Sequence, residues 1–433
     1  MSTAQEPATK IAPVISANWK LPNSFLLETY ESQGGYQGLR KALKMAPDAI
    51  VDEVKRSNLR GRGGAGFPTG MKWSFLPKES DVPKYLVVNA DEGEPGTWKD
   101  RWIIELDPHR LVEGCLIAAY ALNLRATYIY IRGEMRQGAE RLEAAIREAY
   151  AKGYAGENIL GSGMTHDIYV HRGAGAYICG EETALIESLE GKAGQPRLKP
   201  PFPAVVGVFG CPTVVNNVES IAWVPTIIDR GAEWFASVGS DKNGGPKLVQ
   251  ISGKVKRPGV YEVPNGVTLR QMIYGEDFGQ GLVDGAELKA IIPGGISAPL
   301  LMPEQLDTGM DFDQMRAAGT MGGTSGIMVI DNDTCMVRLA ARTAAFYHHE
   351  SCGQCTPCRE GSGWVARVLE QIEAGMGRED DLELLLSICE NIEGNTICPL
   401  GDAIAGAIRP YVNNFADEFR RHVREGCCPH PKW

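Results

Sequence analysis

The chain has 433 residues, including 51 glycines and 11 cysteines, and carries a formal net charge of -10. This length exceeds what one hydrophobic core usually supports, so two or three domains are expected. The acidic balance argues against a protein that binds nucleic acid or anionic lipid, because both partners are themselves negatively charged. An odd number of cysteines, several in apolar surroundings, is typical of reduced thiols in the cytosol rather than of a disulfide framework.

Neither of two segments that could connect the chain to a membrane has the required composition. Residues 1–10 lack the apolar stretch of a signal peptide. The uncharged stretch 200–218 contains prolines and glycines that exclude a spanning helix, and it is expected to form a loop and a short strand. We therefore predict a soluble cytoplasmic protein without direct membrane insertion, which reaches a membrane only through partner proteins.

A parallel, Rossmann-like α/β sheet is predicted for the first domain, residues 1–240. Short β-branched or aromatic runs alternate there with patterns of helical period. Such alternation is typical of parallel sheets covered by helices. The predicted strands are 85–88, 127–131 and 167–170, and the predicted helices are 111–122 and 136–151.

Two further domains follow. Residues 241–330 show short strands with turn signals at 248–252, 259–263 and 289–292 around one helix near 268–273, which predicts an α+β domain of the β-grasp (ubiquitin-like) kind. After residue 331 the helical period dominates, which predicts a helical bundle over residues 331–433. Its expected helices are 342–348, 364–374, 380–392 and 404–424.

A glycine-rich loop at residues 59–70 contains the pattern G-x-G-x-x-G at Gly61, Gly63 and Gly66. The preceding segment 47–58 has a helical pattern, so the loop is not the usual dinucleotide-binding turn, which follows a strand. Glycines nevertheless let backbone N–H groups approach a phosphate or a flat ring. Positive charge is available from Arg60, Arg62 and Lys72.

The alternative for this loop is a flexible linker. Linkers are rarely aromatic, whereas this segment contains Phe67 and continues to Trp73 and Phe75. We therefore expect the loop to bind a ligand.

Acidic residues follow the first predicted strand, in the segment Asn89-Ala-Asp-Glu-Gly-Glu-Pro-Gly96. Parallel sheets bind their ligands at the carboxyl ends of strands, so these side chains are candidates for hydrogen bonds to ring nitrogens and ribose hydroxyls. A solvated turn is the alternative for Glu92 or Glu94 alone. A third glycine cluster at 173–180 precedes Glu181 and Glu182, which stand at the start of a predicted helix 183–189. Helix capping alone would explain one of these two carboxylates.

Four cysteines have a spacing that favours an iron-sulfur cluster: Cys352, Cys355, Cys358 and, after thirty-nine residues, Cys398. The short spacing lets one turn deliver three thiolates, and a second segment supplies the fourth. A structural zinc site remains open, although such sites usually use two separated pairs. A set of buried, unligated thiols is disfavoured by the turn residues between the first three cysteines.

Taken together, these segments resemble the NADH-binding flavoprotein subunit of respiratory complex I, the proton-pumping NADH:quinone oxidoreductase. The resemblance covers nearly the whole chain. The tail Cys427-Cys428 belongs to no motif of that family. The segments that carry the resemblance are 60–73, 89–100, 171–185, 197–203, 212–219, 351–361 and 398–402.

The resemblance implies one non-covalent FMN and one [4Fe-4S] cluster. The cluster ligands would be Cys352, Cys355, Cys358 and Cys398. NADH would stack its nicotinamide on the flavin and its adenine among aromatic rings. The implied FMN contacts are Gly61, Gly63, Lys72, Asn89, Asp91, Gly180, Glu181, Asn216 and Asn217. The implied NADH contacts are Gly64, Gly66, Phe67, Phe75, Glu94, Glu182, Lys199 and Phe202.

The implied activity is hydride transfer from NADH to FMN, followed by passage of single electrons through the cluster toward quinone, with no catalytic acid, base or nucleophile from the protein. Implied partners are other subunits of the peripheral arm, notably a thioredoxin-like [2Fe-2S] subunit and a large multi-cluster subunit, which would hold the chain at the inner membrane. One alternative is the diaphorase subunit of an NAD-reducing hydrogenase or formate dehydrogenase. Another is a zinc-stabilised binding or scaffold module without flavin.

Overall fold

The computed structural model describes residues 10–428 and residue 430. Residues 1–9, where the sequence predicts no signal peptide, lie outside the described residues, as do residue 429 and residues 431–433. No helix in the described part of the chain is both long enough and apolar enough to cross a membrane.

The first sheet has four parallel strands in the order β3-β2-β1-β4. The three strands predicted from β-branched and aromatic runs are confirmed, and the fourth lies in the uncharged stretch where a short strand was expected. The strands are β1 (Tyr85–Ala90), β2 (Ala126–Ile131), β3 (Asp167–Arg172) and β4 (Thr213–Asn217).

Eleven α-helices of the described chain accompany this sheet. Those predicted at 111–122, 136–151 and 183–189 are confirmed, as is the helical pattern before the glycine-rich loop. Their bounds are α1 (Leu27–Ser32), α2 (Gln37–Ala42), α3 (Pro47–Arg56), α4 (Thr69–Ser74), α5 (Lys99–Leu106), α6 (Pro108–Leu122), α7 (Arg136–Ala151), α8 (Glu182–Leu189), α9 (Val218–Ala222), α10 (Val224–Arg230) and α11 (Ala232–Ser237).

The two faces of this sheet belong to different cores because side chains alternate along a strand. In β1, Leu86 and Val88 join the core formed with the N-terminal helices. Val87, between them, joins a second core that includes α8 and residues after 331. The helical part of the chain is therefore packed on the sheet through α8, and this packing brings the four cysteines toward the sheet.

The second sheet is mixed, in the order β6-β5-β8-β7, with the central strands parallel and both outer strands antiparallel to their neighbours. The three predicted strands and the helix are confirmed, whereas β8 was not predicted from the sequence, since it begins inside a glycine cluster. This supports the coarser prediction of an α+β region. The elements are β5 (Pro246–Gly253), β6 (Gly259–Pro264), α12 (Leu269–Tyr274), β7 (Leu288–Ile292), α13 (Phe312–Ala317) and β8 (Gly326–Asp331).

The rest of the described chain is helical, as predicted. One prediction differs, because residues 404–424 form two helices rather than one. Phe415, with φ −122° and ψ 26°, leaves the helical conformation between them, and the apolar pattern continues through both helices without marking the break. The helices are α14 (Met336–Glu350), α15 (Thr356–Glu373), α16 (Asp381–Ile392), α17 (Leu400–Asn414) and α18 (Ala416–Glu425).

Candidate functional site

A cavity of about 550 Å³ lies at the carboxyl end of the first sheet, lined by residues from all three predicted domains. Strands β1 and β4 end side by side there, with Asn89 opposite Asn217 in the register. Ser297 contributes from the second domain, and Cys398 contributes from the helical domain. The cavity therefore occupies the place where a parallel sheet binds its ligand, and its volume suits a cofactor.

The glycine-rich loop folds back on itself and forms part of the cavity wall. Its ends are joined by a 2.9 Å hydrogen bond from Gly61 N to Phe67 O. A Cβ on Gly63 would lie 3.1 Å from the Cβ of Asn217, whereas a Cβ on Gly64 would meet no atom closer than 4.0 Å. Gly64 also has φ +118°, a conformation that favours glycine. The loop thus approaches the end of β4 closely and leaves open space at Gly64, as a ligand-binding loop requires.

The two loop arginines do not supply the cavity with charge as the sequence analysis expected. Arg62 is buried and donates to the carbonyl oxygens of Gly244 and Pro246, both at 2.9 Å. Its burial lowers the pKa of the guanidinium to about 10. Arg60 lies over the Phe312 ring, with 5.0 Å between the guanidinium carbon and the ring centroid. Both arginines hold the loop to the second domain.

Asp91 presents a buried carboxylate to the cavity. Neither of its oxygens has a hydrogen-bond partner among the described residues. Burial raises the pKa of this carboxyl to about 7, with Arg132 opposing the rise and Glu134 adding to it. An unsatisfied buried carboxyl is costly unless a ligand donates to it, so Asp91 marks where a ligand with N–H or O–H groups would bind.

Asn89 at the end of β1 connects two of the predicted ligand-binding segments. Its Nδ2 donates a 2.7 Å hydrogen bond to Gly180 O, and its Oδ1 accepts one from Asp91 N at 3.1 Å. The strand end and the third glycine cluster are thereby held in one fixed arrangement around the cavity.

The two glutamates after β1 have defined roles. Glu92 accepts from the backbone N–H groups of Asp100 and Arg101 at 2.8 and 3.0 Å, so it caps α5. Glu94 accepts from Tyr177 Oη at 2.6 Å and from Ser297 N at 2.7 Å. Burial raises the pKa of Glu94. Neither side chain is a solvated turn residue, and Glu94 joins the first two domains beside the cavity.

Lys99 is a cavity residue that the sequence analysis did not identify. Its side chain is 1% exposed, and its Nζ lies 2.7 Å from Asp100 Oδ1 and 3.0 Å from Glu219 Oε2. Burial alone would lower the pKa of Lys99, but the two carboxylates outweigh it and raise the pKa. The cavity wall therefore contains a permanent cation. The sequence shows a Lys-Asp pair there but gives no sign that the pair is buried.

Two lysines and two glutamates form an ion-pair network beside the cavity. Glu182 lies 2.8 Å from Lys72 Nζ and 2.9 Å from Lys199 Nζ. Burial would raise the pKa of Glu182, but the two ammonium groups lower it to about 2. Glu181 pairs with Lys199 at 2.9 Å and also caps α8, as the sequence analysis anticipated for one of the two carboxylates. The network brings together residues that the resemblance assigns to both FMN and NADH.

The three phenylalanines that the resemblance assigns to adenine are all exposed. Phe67 and Phe75 are adjacent, with ring centroids 5.9 Å apart, and are 45% and 56% exposed. Phe202 is 56% exposed. The adjacent pair Phe67 and Phe75 forms an exposed apolar surface that a flat ring could cover.

Of the residues that the resemblance assigns to FMN or NADH, several line the cavity and the others lie outside its wall. Asn216 does not line the cavity. Its side chain is instead engaged by Trp73, whose Nε1 donates a 2.9 Å hydrogen bond to Asn216 Oδ1. Residues in the wall are Gly63, Gly64, Asn89, Asp91, Glu94, Gly180, Glu181 and Asn217. Residues not in the wall are Gly61, Gly66, Phe67, Lys72, Phe75, Glu182, Lys199, Phe202 and Asn216.

The four motif cysteines converge at the amino ends of α15 and α17. Cys355 precedes α15 and Cys358 lies in its first turn, while Cys398 precedes α17 by two residues. Burial, together with the nearby Cys355 and Cys352 thiols, raises the pKa of Cys358 to about 11. Burial raises the pKa of Cys398 to about 12, again with Cys352 and Cys358 contributing. The two helix ends also favour the negative charge of bound thiolates.

The spread of these cysteines fits a cluster better than one zinc ion. Tetrahedral zinc with bonds of about 2.3 Å places its sulfurs only about 3.8 Å apart. A group of metal-ligating atoms that lie within 4.8 Å of one another does occur in the described part of the chain, but it does not include the motif cysteines. It consists of Cys335, His422 and Cys428. No three of the four motif thiols form such a compact group among the described residues, although Cys355 and Cys358 are close enough to hydrogen-bond. This arrangement does not favour one tetrahedral zinc ion.

The residues present therefore fit both groups that the resemblance implies. The loop at Gly63 and Gly64 provides space for a flavin phosphate and ring, and the unsatisfied Asp91 carboxyl provides an acceptor. The four thiols provide the soft ligands of a cluster. Cys398 also lines the cavity, so the two sites share a wall.

Family models match three parts of the chain. A model described as the Nuo51 FMN-binding domain matches residues 54–226. A model described as the NADH-ubiquinone oxidoreductase-F iron-sulfur binding region matches residues 338–422. A model described as the SLBB domain matches residues 248–275.

Whole-chain relatives agree with these matches. The NADH-quinone oxidoreductase F 2 subunit of Rhizobium meliloti (strain 1021) is 56% identical over 96% of this chain and 99% of its own length. The NADH-quinone oxidoreductase F subunit of Streptomyces coelicolor (strain ATCC BAA-471 / A3(2) / M145) is 52% identical over 98% of this chain and 94% of its own.

Solved structures of similar fold include two described as NAD+-reducing [NiFe]-hydrogenase. The air-oxidized state matches with a TM-score of 0.81 and 35% identity over 98% of this chain. The H2-reduced state matches with a TM-score of 0.79 and 38% identity over 90% of this chain. This chain spans 68% and 64% of those two hydrogenase chains.

Proposed function

Because this chain belongs to the NADH-quinone oxidoreductase F family, we propose that the cavity at the end of β1 and β4 is its FMN and NADH site and that Cys398 links this site to the cluster. The chain is the NADH dehydrogenase subunit of complex I, with FMN and one [4Fe-4S] cluster as cofactors. When bound, FMN supplies the exchange between a two-electron hydride and single electrons, which a cluster accepts one at a time.

We propose that FMN is held by backbone and amide groups from three segments of the first domain. Gly63 and the end of β4 at Asn217 form one side, and Asn89 with Gly180 forms the other. Asp91 accepts from a ring N–H, which satisfies its buried carboxyl. Lys72, Glu181, Gly61 and Asn216 complete the proposed set, with Asn216 acting through the Trp73 side chain that it positions.

We propose that NADH enters over the exposed aromatic pair Phe67 and Phe75, with its adenine covered by these rings and by Phe202. Glu182 and Lys199, fixed by their mutual 2.9 Å contact, would bind ribose hydroxyls. Gly64 and Gly66, which both have a positive φ, let the backbone of the loop lie close to the ligand. Glu182 favours NADH over NADPH because its carboxylate, whose pKa is lowered to about 2, would repel a 2′-phosphate. Glu94 lies deeper, in the wall of the cavity.

The cluster is proposed to bind at Cys352, Cys355, Cys358 and Cys398. The observation that carries the whole proposal is the position of Cys398, which belongs to the cysteine group and also to the wall of the cavity. A ligand shared in this way gives electrons a short path between the two cofactors.

The second domain is proposed to be a β-grasp module, in agreement with the SLBB match and with a mixed sheet that shares a core with α12 and α13. Because the named relatives are described as subunits of an NADH-quinone oxidoreductase, we propose that the chain assembles with other complex I subunits. We propose a thioredoxin-like [2Fe-2S] subunit and a large multi-cluster subunit as its neighbours. Attachment to the cytoplasmic side of the inner membrane would follow from these partners.

A diaphorase subunit of an NAD-reducing hydrogenase is the second candidate, because its solved structures share this fold. Sequence identity favours the first candidate. This chain is 56% and 52% identical to the quinone oxidoreductase relatives but 38% and 35% identical to the hydrogenase chains. The complex I role is therefore the better supported.

The proposal is tested by anaerobic NADH titration of the purified protein, with flavin absorbance and low-temperature EPR recorded on the same samples. In the wild type, flavin bleaching and a reduced-cluster signal are expected together. In Cys398→Ala, FMN content is measured first, and NADH should still bleach the bound flavin while the cluster signal is lost.

The matched control is Cys211→Ala, which removes a partly buried thiol outside both sites and should leave both signals unchanged. Cys352→Ala removes a cluster ligand that does not line the cavity, so it should reproduce the loss of EPR signal without any effect on flavin. If Cys352→Ala abolished flavin bleaching while FMN stayed bound, the proposed separation of the two sites would be wrong.

A further inference from the structure

A second group of metal-ligating side chains lies away from the cavity and from the four motif cysteines. It consists of Cys335, just before α14, His422 in α18 and Cys428, in the tail that belongs to no family motif. We call these three residues the Cys–His–Cys group. Their ligand atoms all lie within 4.8 Å of one another.

The distances within the group match those that one zinc ion imposes. Cys335 Sγ lies 3.6 Å from Cys428 Sγ and 3.3 Å from His422 Nε2. For tetrahedral zinc with Zn–S and Zn–N bonds of about 2.3 and 2.1 Å, the sulfur–sulfur and sulfur–nitrogen separations are about 3.8 and 3.6 Å. Ligation therefore changes these two separations by only a few tenths of an ångström, and the third separation, between Cys428 Sγ and His422 Nε2, is within 4.8 Å.

His422 is oriented as a metal ligand requires. Its Nδ1 lies 2.8 Å from the backbone carbonyl oxygen of Glu418, so Nδ1 carries the hydrogen and donates it. The lone pair is then on Nε2, the nitrogen that faces Cys335 Sγ. A carbonyl that fixes the tautomer in this way is the usual second partner of a metal-bound histidine. The His422 side chain is also fully buried.

Arg338 supplies donors to both sulfurs. Its backbone N–H donates to Cys335 Sγ at 3.3 Å, and its Nη2 donates to Cys428 Sγ at 3.2 Å. N–H groups directed at sulfur stabilise thiolates, which are the form that binds metal. Two thiolates with one imidazole form a ligand set that suits zinc.

We propose that Cys335, His422 and Cys428 bind one Zn²⁺, with the fourth coordination position taken by water. The ion joins the start of α14, the last turn of α18 and the segment that follows α18, so it closes the helical domain at a place separate from the iron-sulfur cluster. Its role is structural. The competing explanation is a set of hydrogen-bonded thiols that binds no metal.

The test uses the full-length protein with FMN and iron-sulfur cluster bound, dialysed against a zinc buffer and analysed for zinc and iron by mass spectrometry. Wild type should retain one zinc per chain in addition to the cluster iron. Cys428→Ser should weaken zinc binding by at least about 10-fold, since even the loss of a hydrogen-bond partner of a metal ligand has that effect. Cys427→Ser is the matched control, since this neighbouring thiol is exposed and outside the group, and it should bind zinc like wild type.

Zinc-edge X-ray absorption of the loaded wild type provides an independent readout and should show two sulfur ligands and one imidazole. Because Cys428 follows α18, its substitution leaves the core intact, and unchanged iron content and thermal unfolding will verify this. Zinc binding that is equal in wild type and Cys428→Ser, zinc uptake only with loss of iron, or a Cys335–Cys428 disulfide in the purified protein would each overturn the proposal.

Discussion

Asn89 Nδ2 donates a 2.7 Å hydrogen bond to the carbonyl oxygen of Gly180, which fixes the end of β1 to the glycine cluster before α8. The two residues are ninety-one positions apart in the chain, and both line the cavity. This bond determines the spacing of the two walls between which the flavin is proposed to bind.

The substitution Asn89→Asp should weaken FMN binding, because a carboxylate oxygen would then face the Gly180 carbonyl and leave it unsatisfied. The expected cost is about 1–3 kcal/mol, or about 5- to 150-fold in affinity. FMN titration of the flavin-free protein by fluorescence measures it. Asn391→Asp is the control, since Asn391 donates a similar 2.8 Å bond to Ser387 O on an exposed helix. Equal losses in both variants would contradict the proposed role of Asn89.

Asp91 should make the flavin-free protein less stable as the pH rises. Burial raises its pKa from 3.8 to about 7, so the folded protein keeps the proton between these values while the unfolded chain releases it. Stability is therefore lost as the pH rises through this window. Asp91→Asn removes the titration and should raise the unfolding temperature more at pH 8 than at pH 5. The difference corresponds to at most about 3 kcal/mol, at about 1.4 kcal/mol per pH unit.

The control for Asp91 is Asp307→Asn. Asp307 is exposed, and the nearby Arg270 lowers its pKa, so its carboxylate is charged at both pH values. Its substitution should have the same effect at pH 5 and pH 8. A gain in Asp91→Asn that did not depend on pH would show that the buried carboxyl is not protonated in the folded state.

Lys99→Met should destabilise the protein, because it leaves Asp100 and Glu219 buried without their common cation. Breaking a buried ion pair costs about 3–5 kcal/mol. Adding Glu219→Gln should restore part of the loss, since it removes one of the two stranded charges. Chemical denaturation of the three proteins measures the coupling. Lys192→Met, which removes an exposed lysine that pairs with Glu190, should change stability little in comparison.

The alternation of strands and helices in residues 85–189 was predictable from local patterns. Short β-branched or aromatic runs indicate strands, and apolar residues that recur with the period of a helix indicate helices. The cluster cysteines were predictable because their spacing is a local property of one turn. By contrast, β8 starts at glycines and pairs with β5 and β7, which are distant in sequence. No local pattern reports such long-range pairing.

The site was predictable in its segments but less so in its individual contacts. Residues 59–70 and 89–96 both reach the cavity, as expected. The direction of each side chain depends on packing between domains, and so Arg62 is turned inward while Lys99 is buried at the wall. The sequence identifies the charged side chains of a segment, but their contacts depend on the packing of the other domains around that segment.

Gly66 combines a positive φ with a close contact to a side chain, so its substitution should disturb the loop. It has φ +66°, and a Cβ there would lie 2.6 Å from the Phe312 ring. Gly66→Ala must therefore move either the loop or the ring, and we expect a KM for NADH raised by about 10-fold or more, since a displacement costing about 1.4 kcal/mol has that effect. Steady-state NADH oxidation with an artificial acceptor measures it.

Gly191→Ala separates the clash from backbone strain. Gly191 also has a positive φ, +80°, but no atom lies within 4 Å of the added Cβ. It should lose only about 1 kcal/mol of stability through strain, with KM unchanged. The double variant Gly66→Ala/Phe312→Ala removes the obstructing ring and should recover most of the NADH affinity. If it did not, the loop would depend on Gly66 for its backbone conformation alone, and the contact with Phe312 would not determine how the loop meets NADH.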